Sequence, residues 1–187
     1  MSAYWVSKTP VCSRHFRASA GFTVIEVLVT LVLLAIVTGL ALPSLQQYSA
    51  NNQVVAASNS IVSGLNFARF NAITSGDDVT ICPSANGTTC SAGNWDSNWI
   101  VFSDNDADAV PDPAEVLRVA ALDSSVAVSG FSQAIVFRSD GITSLGSNAT
   151  ISSCYPVAEV SNKCIDVVVS SFGAIESSSR ESASGTN

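Results

Sequence analysis

The hydrophobic pattern divides the chain into an apolar run, a helical stripe and a series of short alternating runs. Residues 22–42 read FTVIEVLVTLVLLAIVTGLAL, twenty-one residues with a single charge, Glu26. At about 1.5 Å per helical residue this run spans a hydrocarbon core of about 30 Å. Pro43 follows and is expected to kink or interrupt the helix rather than end it, because helical patterning resumes beyond it. Val54, Ile61, Leu65, Ala68 and Ala72 lie on one stripe of an amphipathic helix, with polar Gln53, Asn59 and Asn66 between them. The helix is expected to stop near Ser75-Gly76, with Gly76 as its C-terminal residue.

After Gly76 the period shortens to that of β-strands separated by turn residues. Strands are expected over Val79–Cys82, Trp99–Ser103, Val116–Ala121, Ala134–Arg138 and Ile165–Ser170. Ser124–Val128 and Thr150–Cys154 carry a weaker signal of the same kind. The tail, residues 177–187, is rich in Ser and Gly and is expected to be flexible. The resulting organisation is a leader over 1–21, a transmembrane half-helix over 22–42 and an amphipathic half over 43–76. A β-rich head follows over 77–176, then the tail. The fold class is α+β.

Composition sharpens this picture. Hydrophobic residues make up 47% of the 187 residues and charged residues 12%, a balance that points to a membrane segment. Three of the eight basic residues, Lys8, Arg14 and Arg17, precede the apolar run, with the only histidine, His15. Basic flanks stay in the cytoplasm, so everything after Pro43 is expected across the membrane. A secretory signal peptide would place its small residues after a shorter apolar core; here Ala18, Ser19, Ala20 and Gly21 come before it. Without the leader, five basic residues face fifteen acidic ones, a net charge of −10. A polyanion gains affinity by meeting Lys and Arg, so nucleic acid is not an expected partner.

Cys82, Cys90, Cys154 and Cys164 lie beyond the apolar run, and Cys12 lies in the leader. An even set in an exported domain reads as disulfides, with three connectivities open. Local pairing, Cys82–Cys90 and Cys154–Cys164, is expected because each closes a short loop. Zinc would want C-x2-C spacing or histidines. Catalysis is not expected either: no histidine remains after the leader to activate a nucleophile, and no glycine-rich phosphate loop occurs.

Residues 104–115, DNDADAVPDPAE, set Asp104, Asp106, Asp108, Asp112 and Glu115 at the carboxylate spacing of an EF-hand-like calcium loop, with Val110 offering a carbonyl. Ala109 stands where the sharp turn wants glycine, and the flanks read as strands. A solvated acidic hairpin loop is the favoured reading, with calcium as the alternative.

Glu26 is an ionisable group in a lipid-facing helix and so a functional candidate by default, with snorkelling to the nearby start of the helix as the alternative. The stretch Gly21-Phe22-Thr23-Val24-Ile25-Glu26-Val27-Leu28 resembles the class III signal sequence of type IV pilins. The resemblance implies that prepilin peptidase cuts between Gly21 and Phe22 and that Phe22 is then N-methylated. Glu26 and Pro43 match the family's assembly glutamate and helix-kinking proline. A neighbouring subunit's new α-amine would then neutralise Glu26 and set axial register, while the apolar stripe packs against other pilins.

The downstream region is similar to the minor pilin and pseudopilin H group, of FimT, FimU and GspH types. The carrying stretches are Ile81-Cys82-Pro83-Ser84 with Cys90, Asn98-Trp99-Ile100-Val101-Phe102, and Asp104-Asn105-Asp106 leading to Glu115-Val116-Leu117-Arg118. Phe137-Arg138-Ser139-Asp140-Gly141, then Cys154 and Cys164 with Phe172-Gly173, complete the order. The resemblance implies a type IV pilin fold, a long helix packed on an antiparallel β domain with two disulfides. It also implies a non-enzymatic subunit that primes or caps a type IV pilus, held in the inner membrane with a periplasmic head, extracellular once assembled. The alternatives are pseudopilin H of type II secretion and, on a lesser footing, a DNA-binding minor pilin.

Overall fold

A computed structural model describes residues 21–96, 98–104, 110–122, 125–156 and 163–181. The chain divides into two compact units between Leu40 and Ala41. Helix α1, Val24–Ser75, contributes its first part to one unit and the remainder to the other.

In the first unit α1 carries the apolar run, and every residue from 22 to 40 is exposed. Its hydroxyls are satisfied locally: Thr30 Oγ1 donates to the Val27 carbonyl at 2.8 Å and Thr38 Oγ1 to that of Leu34 at 2.9 Å. Such bonding within the helix removes the cost of placing a hydroxyl in lipid. The helix continues through position 43, so Pro43 does not end it, as expected, and no interruption occurs there. Ser44 Oγ likewise donates to the Ala41 carbonyl at 2.8 Å, within its own helix.

In the second unit α1 buries its stripe. Val54, Ile61, Leu65, Ala68 and Ala72 are all fully buried, joined by Ala50 and Ala57. The stripe is therefore covered by the chain's own sheets, and the expectation that it packs against other pilins is corrected. Two four-stranded antiparallel sheets cover it. The first is ordered β3-β2-β1-β5, from β1 (Val79–Ser84), β2 (Asn98–Ser103), β3 (Val116–Ala121) and β5 (Ile135–Phe137). The second is ordered β4-β6-β7-β8, from β4 (Ala127–Gly130), β6 (Ala149–Cys154), β7 (Lys163–Val169) and β8 (Ile175–Glu181). Val79, Ile81, Trp99, Val101, Ile135, Phe137, Ile151, Val167 and Val169 meet the helix stripe in one core.

β1 and β2 are buried along nearly their whole length rather than on alternate residues. The cause is a second, smaller cluster of Cys82, Ile100 and Phe102, with Cys90 and Val116 packed against it. Ser91 N–H donates to the Pro83 carbonyl at 2.8 Å, fixing the returning loop beside β1. Both faces of these strands are thus covered, which is why β2 reads as a near-continuous apolar run.

α1 ends as its sequence dictates. Gly76 takes φ +83° and its N–H donates to the Ala72 carbonyl at 3.1 Å, a left-handed stop that a side chain would strain. Gly64 has a different role. A Cβ placed there would lie 2.6–2.9 Å from three atoms of the Trp99 ring, so glycine lets the indole rest on the helix backbone. Arg118 closes the stack, its guanidinium 5.4 Å from the Trp99 ring centre and 5.5 Å from that of Phe67.

The tail expectation fails at β8. Ile175–Glu181 pairs with β7 in register from Lys163↔Glu181 to Val169↔Ile175, so the head extends beyond residue 176. Ordering here comes from ladder bonds and one polar cluster rather than from apolar burial, since six of the seven residues are exposed. Asp166 on β7 accepts from Ser152 Oγ of β6 at 2.6 Å and from Arg180 Nε of β8 at 2.5 Å, joining three strands. Composition alone misses a strand held this way. Residues 182–187 of the expected tail lie outside the described residues.

Candidate functional site

The residues singled out for processing lie at the start of α1. Gly21, Phe22 and Thr23 precede the helix, and the Phe22 side chain is 82% exposed. Thr23 is the N-cap. Its carbonyl accepts the Val27 N–H at 3.3 Å and its Oγ1 accepts the Glu26 N–H at 3.3 Å. A threonine side chain at this position satisfies an amide that the first helical turn leaves open. Glu26 falls three residues after the cap, where a carboxylate also meets the positive end of the helix dipole. Thr23-x-x-Glu26 is the capping-box spacing, a signal the sequence carries inside the apolar run. Glu26 is exposed, and among the described residues no cation pairs with it.

Both disulfides form as expected. Cys82–Cys90 ties β1 to the loop after it, with Cα atoms 5.6 Å apart. Cys154–Cys164 joins directly opposed residues of β6 and β7, with Cα atoms 4.3 Å apart. The first pins the cover of the outer sheet face, and the second closes the β6–β7 hairpin.

The acidic loop is described only at its ends, since Asp106 and Asp108 lie outside the described residues. Asp104 N–H donates to the Asp78 carbonyl at 3.1 Å, and Ser103 N–H to the Glu115 carbonyl at 3.0 Å. Glu115 is 8% exposed, and its Oε2 accepts the Asp112 N–H at 3.3 Å while its own N–H donates to the Asp112 carbonyl at 2.9 Å. That carboxylate closes a turn of the protein's own backbone. Among the described residues no three metal-ligating side chains converge.

The basic side chains of the head are engaged by the fold. Arg69 Nε donates to the Gly141 carbonyl at 3.1 Å, and Arg118 Nη1 to Ser63 Oγ at 3.3 Å beneath its two rings. Arg138 lies 3.9 Å from Asp140, and Arg180 is held by Asp166. They belong to the helix end, β3, the turn after β5 and β8.

An exposed apolar helix capped at a Gly-Phe junction, continuous with a helix half laid on antiparallel sheets and braced by two disulfides, defines a pilin-like subunit. The family described as type II transport protein GspH matches residues 57–173, and the prokaryotic N-terminal methylation motif matches residues 16–42. The chain therefore belongs to the GspH family, and is a minor pilin or pseudopilin of a type IV pilus or type II secretion system.

Among solved structures it is similar to the type IV minor pilin FimU of Pseudomonas aeruginosa in two crystal forms. One gives a TM-score of 0.54 at 15% identity, covering 69% of this chain and 90% of FimU. The other gives 0.51 at 16% identity, covering 66% and 90%. The minor pseudopilin EpsH of the Vibrio cholerae type 2 secretion system aligns at 12% identity and a TM-score of 0.48, over 67% of this chain and 96% of EpsH. At these identities the likeness is one of fold. No curated protein matches the sequence.

Proposed function

We propose that the chain is a non-enzymatic minor pilin that assembles into a type IV pilus and primes or caps it. The observation that carries the reading is the union, on one chain, of a methylation motif over residues 16–42 and a GspH head over 57–173. The precursor sits in the inner membrane through residues 22–42 with its head in the periplasm. Prepilin peptidase removes residues 1–21, and Phe22 becomes the methylated N-terminus. Glu26 then meets the α-amine of an adjoining subunit, because a lone carboxylate in lipid needs a cation.

Contacts with other pilins fall to the apolar run and to the outward face of the later helix. That face includes Leu45, Tyr48, Asn52, Asn59, Ser63 and Asn66, all exposed. No charge occurs between Glu26 and Arg69. An uncharged outward face suits burial against another protein, since pairing it strands no charge. The mechanism uses no resident cofactor. Nucleic acid is not among the proposed partners, because residues 22–187 carry five basic side chains against fifteen acidic ones.

The family's name also supports the second reading, a pseudopilin H of type II secretion. Deletion of the chain separates them: surface filaments fall under the first, and export of secreted proteins falls under the second. In either case wild-type chain restores the loss and Glu26→Ala does not. Full restoration by Glu26→Ala would remove the assembly role of that carboxylate.

A further inference from the structure

The hydrogen bonding at the start of α1 assigns a role to a residue that the processing reading leaves unused. We propose that Thr23 is a positioning residue for cleavage: by capping α1 it holds the Gly21–Phe22 peptide bond outside the helix, where a peptidase can engage it. The inference rests on the proposed processing at that bond.

Three observations support it. Helix α1 begins at Val24, and residues 21–23 lie outside it. The boundary coincides with a side-chain cap, Thr23 Oγ1 accepting the Glu26 N–H, reinforced by the Thr23 carbonyl accepting those of Glu26 and Val27. The residues upstream, Arg17-Ala18-Ser19-Ala20, include strong helix formers, so Gly21 apart, composition gives the helix little reason to stop where it does. Ser19 is the nearest upstream residue with a capping hydroxyl. A helix restarted there would take Gly21 and Phe22 into its first turn.

The chemistry makes the location matter. Peptide hydrolysis needs approach to the carbonyl carbon of Gly21 and transfer of a proton to the departing Phe22 nitrogen. In a helical turn that carbonyl is committed to an amide four residues on, and neighbouring side chains crowd it. Outside the helix both atoms are open. Gly21 adds to the boundary, since glycine is the weakest non-proline helix former. The cap sets the boundary from the downstream side.

The test uses the full precursor in membranes with prepilin peptidase, following the cleaved fraction by mass spectrometry. Thr23→Ala is expected to slow cleavage about fivefold, the population change that loss of a typical N-cap produces. Thr23→Ser and Thr23→Asn keep a capping oxygen and are expected to stay close to wild type. In micelles, the 13C shifts of Gly21 and Phe22 should move to helical values in Thr23→Ala alone. Wild-type cleavage of Thr23→Ala overturns the proposal. So does slow cleavage of Thr23→Asn with non-helical shifts, which would mean that the peptidase reads threonine itself. If the wild-type precursor is not cut after Gly21, the processing reading fails instead, and the shifts still decide whether Thr23 sets the boundary.

Discussion

Residues 24–40 and residues 50–72 share a helical backbone and a sequence rich in Val, Leu, Ile and Ala, yet their apolar side chains meet different surroundings. In the first stretch the large apolar side chains are 47–80% exposed. In the second, Val54, Ile61, Leu65, Ala68 and Ala72 are completely covered by two sheets. Burying a Leu or Ile side chain yields about 1.5–3 kcal/mol. The first stretch forgoes that gain on every face, which only a lipid or protein environment restores. Helical propensity serves both stretches alike. What separates them is whether the apolar residues ring the helix or line one side of it.

Paired substitutions break or sharpen this contrast. Leu65→Ala should lower the stability of the head by about 2–5 kcal/mol, because it empties a closed core site. Leu33→Ala, in the exposed stretch, should leave head unfolding unchanged. Denaturant titration of the detergent-solubilised protein, followed by tryptophan fluorescence, reads both, and equal losses would erase the distinction.

Gly64→Ala comes next. Its methyl group would press on the Trp99 ring, and overpacking of this kind costs about 1–3 kcal/mol. The same change at Gly39, where a Cβ meets nothing within 4 Å, should not destabilise the head. Smallest is Arg180→Ala. An exposed ion pair is worth about 0–1 kcal/mol, so the global effect should be slight, while amide exchange rises along β8 as the bond to Asp166 is lost. Unchanged exchange there would mean that the ladder bonds alone hold the strand.

The sequence reveals what apolar residues organise and conceals what polar ones do. The stripe from Val54 to Ala72, the stop at Gly76 and the strands over Val79–Ser84 and Asn98–Ser103 are legible because burial leaves a period or a continuous run. β8 is not, because Ser177, Ser178 and Ser179 are ordered by a backbone ladder and by Arg180 on Asp166, features with no hydrophobic signature. Trp99 against Gly64 joins residues far apart in the chain, so no local window shows the contact. The cap at Thr23 could have been read from its spacing to Glu26. The apolar stripe was legible as a helix face, and the resemblance supplied the β domain that covers it; the stripe alone does not choose, since its own sheets and a second pilin offer the same chemistry. The acidic loop shows the converse: five carboxylates at cation-binding spacing are visible in the sequence, whereas the use of Glu115 to close a turn on Asp112 appears only in three dimensions.

The account depends most on α1 beginning, in the mature protein, at a freshly cut end beside Glu26. The direct measurement is the intact mass and N-terminal fragment spectrum of the chain purified from membranes of cells that carry prepilin peptidase. The expected product starts at Phe22, bears one N-methyl group and retains the whole apolar run. A chain that keeps residues 1–21, or one trimmed past Leu42, would contradict it.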